Sequence, residues 1–194
     1  VEAFPLNQVH TVYDLSDIVL EEGDLSGTFT LQINSKPESV DSLWNISGDF
    51  LIEDGSLVVA EKEIQCSDIF FRGRIDNSMI QVIDLQHRIS NLEVSYSGEI
   101  TNVFKPEFNL LGYFSIKNLE EFKNSLFPET ALMLDGAFQG EFQMKGPYND
   151  PFVTGTCLVN TPSVNGISFE DSKAAFNLSK DSFQFSGFYT EFSG

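Results

Sequence analysis

Histidine is the side chain best placed to move protons near neutral pH, and this chain has two, His10 and His87. They stand far apart, and neither belongs to the internal repeat of the chain, in which His87 aligns with Thr190 and His10 with Lys123. No glycine-rich phosphate loop, HExxH or CxxC is present. Ser47 and Ser186 neighbour glycines but lack the G-x-S-x-G elbow. Acidic clusters at Asp14/Asp17 and Glu21/Glu22/Asp24 lack the alternating ligands and terminal glutamate of a calcium loop. Cys66 and Cys157 are too few for a disulfide framework and pair only if the fold brings them together. Asn45-Ile46-Ser47 and Asn177-Leu178-Ser179 match the short glycosylation triplet. The expectation is a protein that is not an enzyme and has no catalytic residues, no metal site and no cofactor.

The composition narrows the remaining classes. The 194 residues carry 29 acidic against 11 basic side chains, a formal charge of −18. That opposes binding to a phosphate backbone and docking to anionic lipid through a basic patch. With 41% apolar residues the chain is not an acidic disordered tail. It holds 19 Phe but one Trp and five Tyr, a surplus of ring surface without a polar handle. No run approaches the ~18 apolar residues of a membrane-spanning helix. The chain opens on Val1-Glu2-Ala3-Phe4 and ends mid-pattern, so it reads as a piece of a longer protein.

The elements that position these side chains are strands. Phe29, Leu31 and Ile33 alternate with polar residues, as do Phe138, Phe142 and Met144, and Ala174, Phe176 and Leu178. Leu92/Val94/Tyr96 and Phe108/Leu110/Gly112/Phe114/Ile116 follow the same period. Turn signals fall at Gly23, Asp54-Gly55, Asp76-Asn77, Lys105-Pro106, Gly146-Pro147, Asn165-Gly166 and Lys180-Asp181. Strands joined so closely pair antiparallel. Two stretches have helical spacing instead: Leu6/Val9/Tyr13 and Leu119/Phe122/Leu126.

These helices mark a repeat. An offset of 113 carries Leu6 to Leu119, Gly23 to Gly136, Gly27 to Gly140 and Phe29 to Phe142. After shorter loops the offset becomes 107, taking Gly48 to Gly155, then 103, taking Ile80 and Val82 to Phe183 and Phe185. Residues 1–113 form one β-repeat and 114–194 a second, C-terminally truncated one. In both, the apolar phase slips by one residue, at Ile83/Leu85 and at Phe188/Thr190, which requires a bulge or bend and a strongly coiled sheet.

On pattern alone the alternating face fits the closed core of a two-sheet sandwich. Two features favour an open trough. Glycine replaces bulk on that face at Gly27, Gly112 and Gly140, and repeats that chain head to tail make an extended body.

The segment Leu134-Asp135-Gly136-Ala137-Phe138-Gln139-Gly140-Glu141-Phe142-Gln143-Met144-Lys145-Gly146 resembles a recurring unit of the AsmA-like/TamB group of bacterial envelope proteins. Pro151 to Gly155, Ser163 to Asp171 and the helix at Asn118 to Phe122 are similar to the same unit. Residues 114–194 carry the likeness well and 1–113 more loosely. The resemblance implies an all-β, repeat-built antiparallel sheet folded lengthwise into a U-shaped or taco-like groove, with one short amphipathic helix per repeat. It implies a periplasmic location, with a membrane anchor in an N-terminal helix outside this segment. It further implies conduction of phospholipid acyl chains between the two membranes, in support of outer-membrane assembly. An outer-membrane β-barrel is the implied protein partner. The expected groove residues are Phe29, Leu31, Ile33, Phe138, Phe142, Met144, Phe176, Leu178, Phe183 and Phe185. A closed structural or adhesive scaffold, and a barrel-assembly factor acting by strand addition, are the alternative readings.

Overall fold

A computed structural model describes residues 4–5, 18–33, 44–59, 64–102, 105–126, 131, 133–180 and 182–190. Its strands are β1 (Phe4–Pro5), β2 (Ile18–Ile33), β3 (Trp44–Val59), β4 (Ile64–Asp76), β5 (Met79–Ile89), β6 (Leu92–Thr101) and β7 (Glu107–Ile116). Helix α1 (Leu119–Leu126) follows, then β8 (Leu134–Pro147), β9 (Phe152–Val164), β10 (Ile167–Ser168), β11 (Ser172–Ser179) and β12 (Ser182–Thr190). All belong to one antiparallel sheet in chain order, with β10 off the main path as a partner of β9. β1 and β12 lie at opposite ends of that order, so the sheet is not closed into a barrel. The expected all-β antiparallel class is what the chain adopts.

Period-two alternation sets one face of the whole sheet. A single row of cross-strand partners runs Leu25, Ile52, Phe71, Leu85, Tyr96, Gly112, Phe142, Gly155 and Phe176. The opposite face carries the ion pairs Arg74–Asp49 at 2.8 Å, Arg88–Asp68 at 2.8 Å and Lys117–Glu93 at 2.9 Å. These pairs are exposed, so each adds only about 0–1 kcal/mol.

Two expected turns are corrected. Gly23 and Asp54-Gly55 lie inside β2 and β3, where the pairing register shifts instead of reversing. Gly23 has φ 126° and Asp54 φ 52°, conformations that suit a bulge as well as a turn. Because a bulge keeps the chain in the sheet, both strands run to 16 residues. The signal at Asn165-Gly166 does reverse the chain, with φ of 51° and 79° between paired Val164 and Ile167, as a two-residue hairpin demands.

The phase slip in β5 is also a bulge, since the register with β6 shifts between Val82 and Leu85. β12 shifts against β11 as well, between Lys173 and Ala175. Ile83 stands out of line on the bulge, exposed beside Leu111 and Tyr113 of the opposite face. It therefore does not join the apolar face with Leu85 as expected.

Helix α1 forms where Leu119 and Phe122 were expected to share a face, and both are half-buried. Asn118 caps it, its Oδ1 accepting the Glu121 backbone N–H at 3.0 Å. The helix packs on β8. The expected helix at Leu6/Val9/Tyr13 lies outside the described residues. The division expected after residue 113 falls within β7.

Candidate functional site

The buried residues of the apolar face are concentrated where β6, β7, β8, β9 and β11 meet. Val94, Phe114, Phe142, Val153, Cys157, Ala174 and Phe176 form the cluster, with Leu92, Tyr96, Phe138 and Met144 packed against it. Phe114 and Phe176 are three strands apart, roughly 14 Å in a flat sheet, yet their ring centroids are 5.8 Å apart. The rings lean together across the intervening strands.

Glycine makes this possible. A Cβ on Gly155 would stand 2.6 Å from the Phe176 ring, and one on Gly140 would stand 2.9 Å from the Phe114 ring. The Phe142 ring occupies the same space over Gly112. Phe50 covers Gly73 at 2.6 Å, and Phe29 covers Gly48 at 3.0 Å, in the first half of the chain. In each case ring and glycine are direct cross-strand partners. A ring laid over a partner glycine fills the gap left by the missing side chain. It also lowers the ring toward the sheet.

An open hollow of about 250 Å³ lies on this face. It is lined by Leu92, Val94, Tyr96, Phe114, Ile116, Phe138, Phe142, Met144, Val153, Phe176 and Leu178. Tyr96 alone among these has a polar side-chain group. Of the expected groove residues, Phe138, Phe142, Met144, Phe176 and Leu178 meet here. Phe29 and Leu31 are not at the hollow; they lie on β2, 47% and 55% exposed. The backbones of Phe183 and Phe185 pair with Leu178 and Phe176, but their side chains, like that of Ile33, lie outside the described residues. The reading by repeat missed Leu92, Val94, Tyr96, Phe114, Ile116 and Val153. Five of these six carried a visible alternating signal on β6 and β7.

No family model, curated protein or solved structure matches the chain.

The few polar groups near the hollow are kept neutral. Burial pushes the Tyr96 hydroxyl up to about 12, with the Cys66 thiol adding to the effect. His87 accompanies Tyr96, with Nε2 at 3.1 Å from its hydroxyl and the rings stacked at 5.5 Å. Burial holds the His87 pKa below its ordinary value. His87 was set aside in the sequence because it has no repeat equivalent; its cross-strand partner is Val94. Cys66 and Cys157 are buried free thiols, both raised in pKa by burial. Cys157 also donates to the Ala174 carbonyl at 3.4 Å. Among the described residues no group of three His, Cys, Asp or Glu is arranged to hold a metal.

Of two further hollows, one of about 410 Å³ mixes Asp84, Ser97 and Glu141 with Ile83, Leu111 and Tyr113, and one of about 400 Å³ is lined by polar side chains such as Asp68, Arg88 and Glu93. Arg88 is already paired with Asp68 and lies 3.6 Å from Glu93.

Proposed function

We propose that the chain is a groove-forming segment of an AsmA-like/TamB-type periplasmic protein that conducts phospholipid acyl chains between the inner and outer membranes. The observation that carries this reading is the open hollow walled by hydrocarbon, aromatic rings and a thioether. Each acyl CH₂ moved from water onto such a surface gains about 0.8 kcal/mol. A wall of rings offers that gain at many positions without trapping the chain in one, which suits transport better than storage. The acidic opposite face keeps the sheet in water.

The proposal includes the repeat and the taco-like curl. Gly23 and Gly136, related by the offset of 113, both have positive φ, of 126° and 119°. Register shifts fall at matching places, between Glu22 and Asp24 and between Asp135 and Ala137. β2, β3 and β5 shifted by 113, 107 and 103 overlap β8, β9 and β12. The close approach of Phe114 and Phe176 favours a sheet curled toward its apolar side. An inner-membrane anchor and an outer-membrane barrel partner belong to the same reading and lie outside this segment.

The test is to incubate the purified chain with phospholipid vesicles, recover it by size exclusion and extract it for lipid mass spectrometry. The reading expects bound phospholipid, released by Val94→Asp. A chain that recovers no lipid, or binds it equally with Val94→Asp, refutes it.

A further inference from the structure

We propose that the polar face of the sheet carries a docking trough, along β6, for a basic amphipathic helix of a partner protein. The proposal stands apart from the acyl-chain reading, because it uses the other face of the sheet.

Three large apolar side chains interrupt the polar pattern of this face: Ile83 is 40% exposed, Leu111 59% and Tyr113 43%. In a regular strand neighbouring side chains alternate between faces. The bulge between Val82 and Leu85 suspends that rule, so the consecutive residues Ile83 and Asp84 both line one hollow. Leu111 and Tyr113 stand across from them on β7. Between lie the small side chains of Ser97 and Ser95 on β6, the direct partners of Leu111 and Tyr113. The Tyr113 hydroxyl donates to Gln139 Oε1 at 3.0 Å, which ties that end of the ring to β8, away from β6. The hollow holds about 410 Å³. The neighbouring one, of about 400 Å³, shares Ser95 and Tyr113 with it and extends to Glu93. Together they follow β6 from Ser97 to Glu93, about 13 Å of strand.

This shape selects a helix. β5, β6, β7 and β8 are each paired on both sides, so no backbone edge is free for strand addition. Recognition there goes through side chains. The walls on β5 and β7 are two strand spacings apart, roughly 10 Å, and a helix with its side chains is about 10–12 Å across. Laid along β6, it sets an apolar row over the serines, between Ile83 and Leu111.

Charge selects the flanks of that helix. Asp84 and Glu141 line the first hollow and no cationic side chain does. Asp84 accepts from the Gln86 amide at 3.0 and 3.1 Å and faces Arg72 across the strand pair without forming an ion pair. Glu141 has no cationic partner among the described residues. In the second hollow one cation, Arg88, stands against Asp68 and Glu93. A second copy of this chain would set −18 against −18, and anionic lipid or nucleic acid would meet the same repulsion. Lysines or arginines beside an apolar stripe answer both the carboxylates and the exposed hydrocarbon.

The test measures binding of the full chain to a labelled helical peptide of about 18 residues, with a leucine stripe flanked by lysines. Its Lys→Glu counterpart and a scrambled peptide of equal charge are the comparisons. The lysine peptide is expected to bind, the glutamate peptide not, and the scrambled one at least severalfold more weakly. Leu111→Ser is expected to weaken binding about 5- to 10-fold. Asp84→Asn combined with Glu141→Gln nearly conserves shape, and is expected to weaken binding at low salt and have little effect at high salt. With a photoreactive residue in the leucine stripe, adducts are expected at Ile83, Leu111 or Tyr113. No binding by the lysine peptide, equal binding of the scrambled one, affinities unmoved by both variants, or adducts at Phe138 or Met144 instead overturn the proposal. So does a dimer of the chain that Leu111→Ser disperses, which assigns the trough to a second copy.

Discussion

Gly155→Ala puts the seating of rings on glycines to a quantitative test. The added methyl would meet Phe176 Cζ at 2.6 Å and Cε1 at 2.7 Å, and also the Glu141 carbonyl oxygen. Carbon atoms rest at about 3.5–4.0 Å, so the overlap is about 1 Å and the ring must lift. Overpacking of this kind costs about 1–3 kcal/mol. The lost backbone freedom of the unfolded chain returns about 0.4–1 kcal/mol. A net loss of about 1–2 kcal/mol lowers Tm by about 2–8 °C in a chain of this size. The assay is thermal unfolding followed by circular dichroism, run as a double-mutant cycle with Phe176→Leu. Leucine is shorter, so alanine at position 155 is expected to cost at least ~0.5 kcal/mol less in that background. A rise in Tm for Gly155→Ala, or the same cost with and without the Phe176 ring, refutes the reasoning.

Leu178 lines the hollow but is 42% exposed, so Leu178→Asp is expected to fold, with Tm within a few degrees, while lipid recovered from vesicles falls at least severalfold; unchanged recovery counts against the hollow as the binding surface. Burial of His87 lowers its folded pKa, so the unfolded chain binds the extra proton first and stability falls as pH drops below the ordinary value of 6.5. His87→Gln is expected to flatten that part of the stability–pH curve, and urea titrations at pH 5 and 8 that give the same pH slope for both proteins contradict it. Both cysteines are buried free thiols with raised pKa, so a thiol reagent is expected to react slowly with the native chain and rapidly with two thiols in denaturant; fewer than two in denaturant would reveal a disulfide.

The strand pattern was legible because alternation is written residue by residue: β7 carries Phe108, Leu110, Gly112, Phe114 and Ile116 in unbroken sequence. Helix α1 was legible for the same reason, from the spacing of Leu119 and Phe122. Turns were less so. Gly23 and Asp54-Gly55 have the residues of a reversal, but a positive φ serves a bulge equally, and only the partner strand decides between them. The site was half legible. Phe142 stood out through the repeat and Phe176 through its alternation with Ala174 and Leu178, whereas Val94 and Tyr96 come from β6, which has no counterpart in the second half. Nothing local announces that Phe176 will rest on Gly155, since the two are distant in sequence and meet only through strand register. The role of His87 was hidden for the same reason: its hydroxyl partner is Tyr96, across the hairpin.

The central claim is that lipid runs along the apolar face and not the polar one. Site-specific photocrosslinking in cells tests it most directly, with a photoreactive residue at Phe138, Met144 or Leu178 on one face and at Gln143 or Asn177 on the other. The account predicts phospholipid adducts from the first three positions and none from the last two. Equal labelling of both faces, or no lipid adduct from the apolar positions, would contradict it.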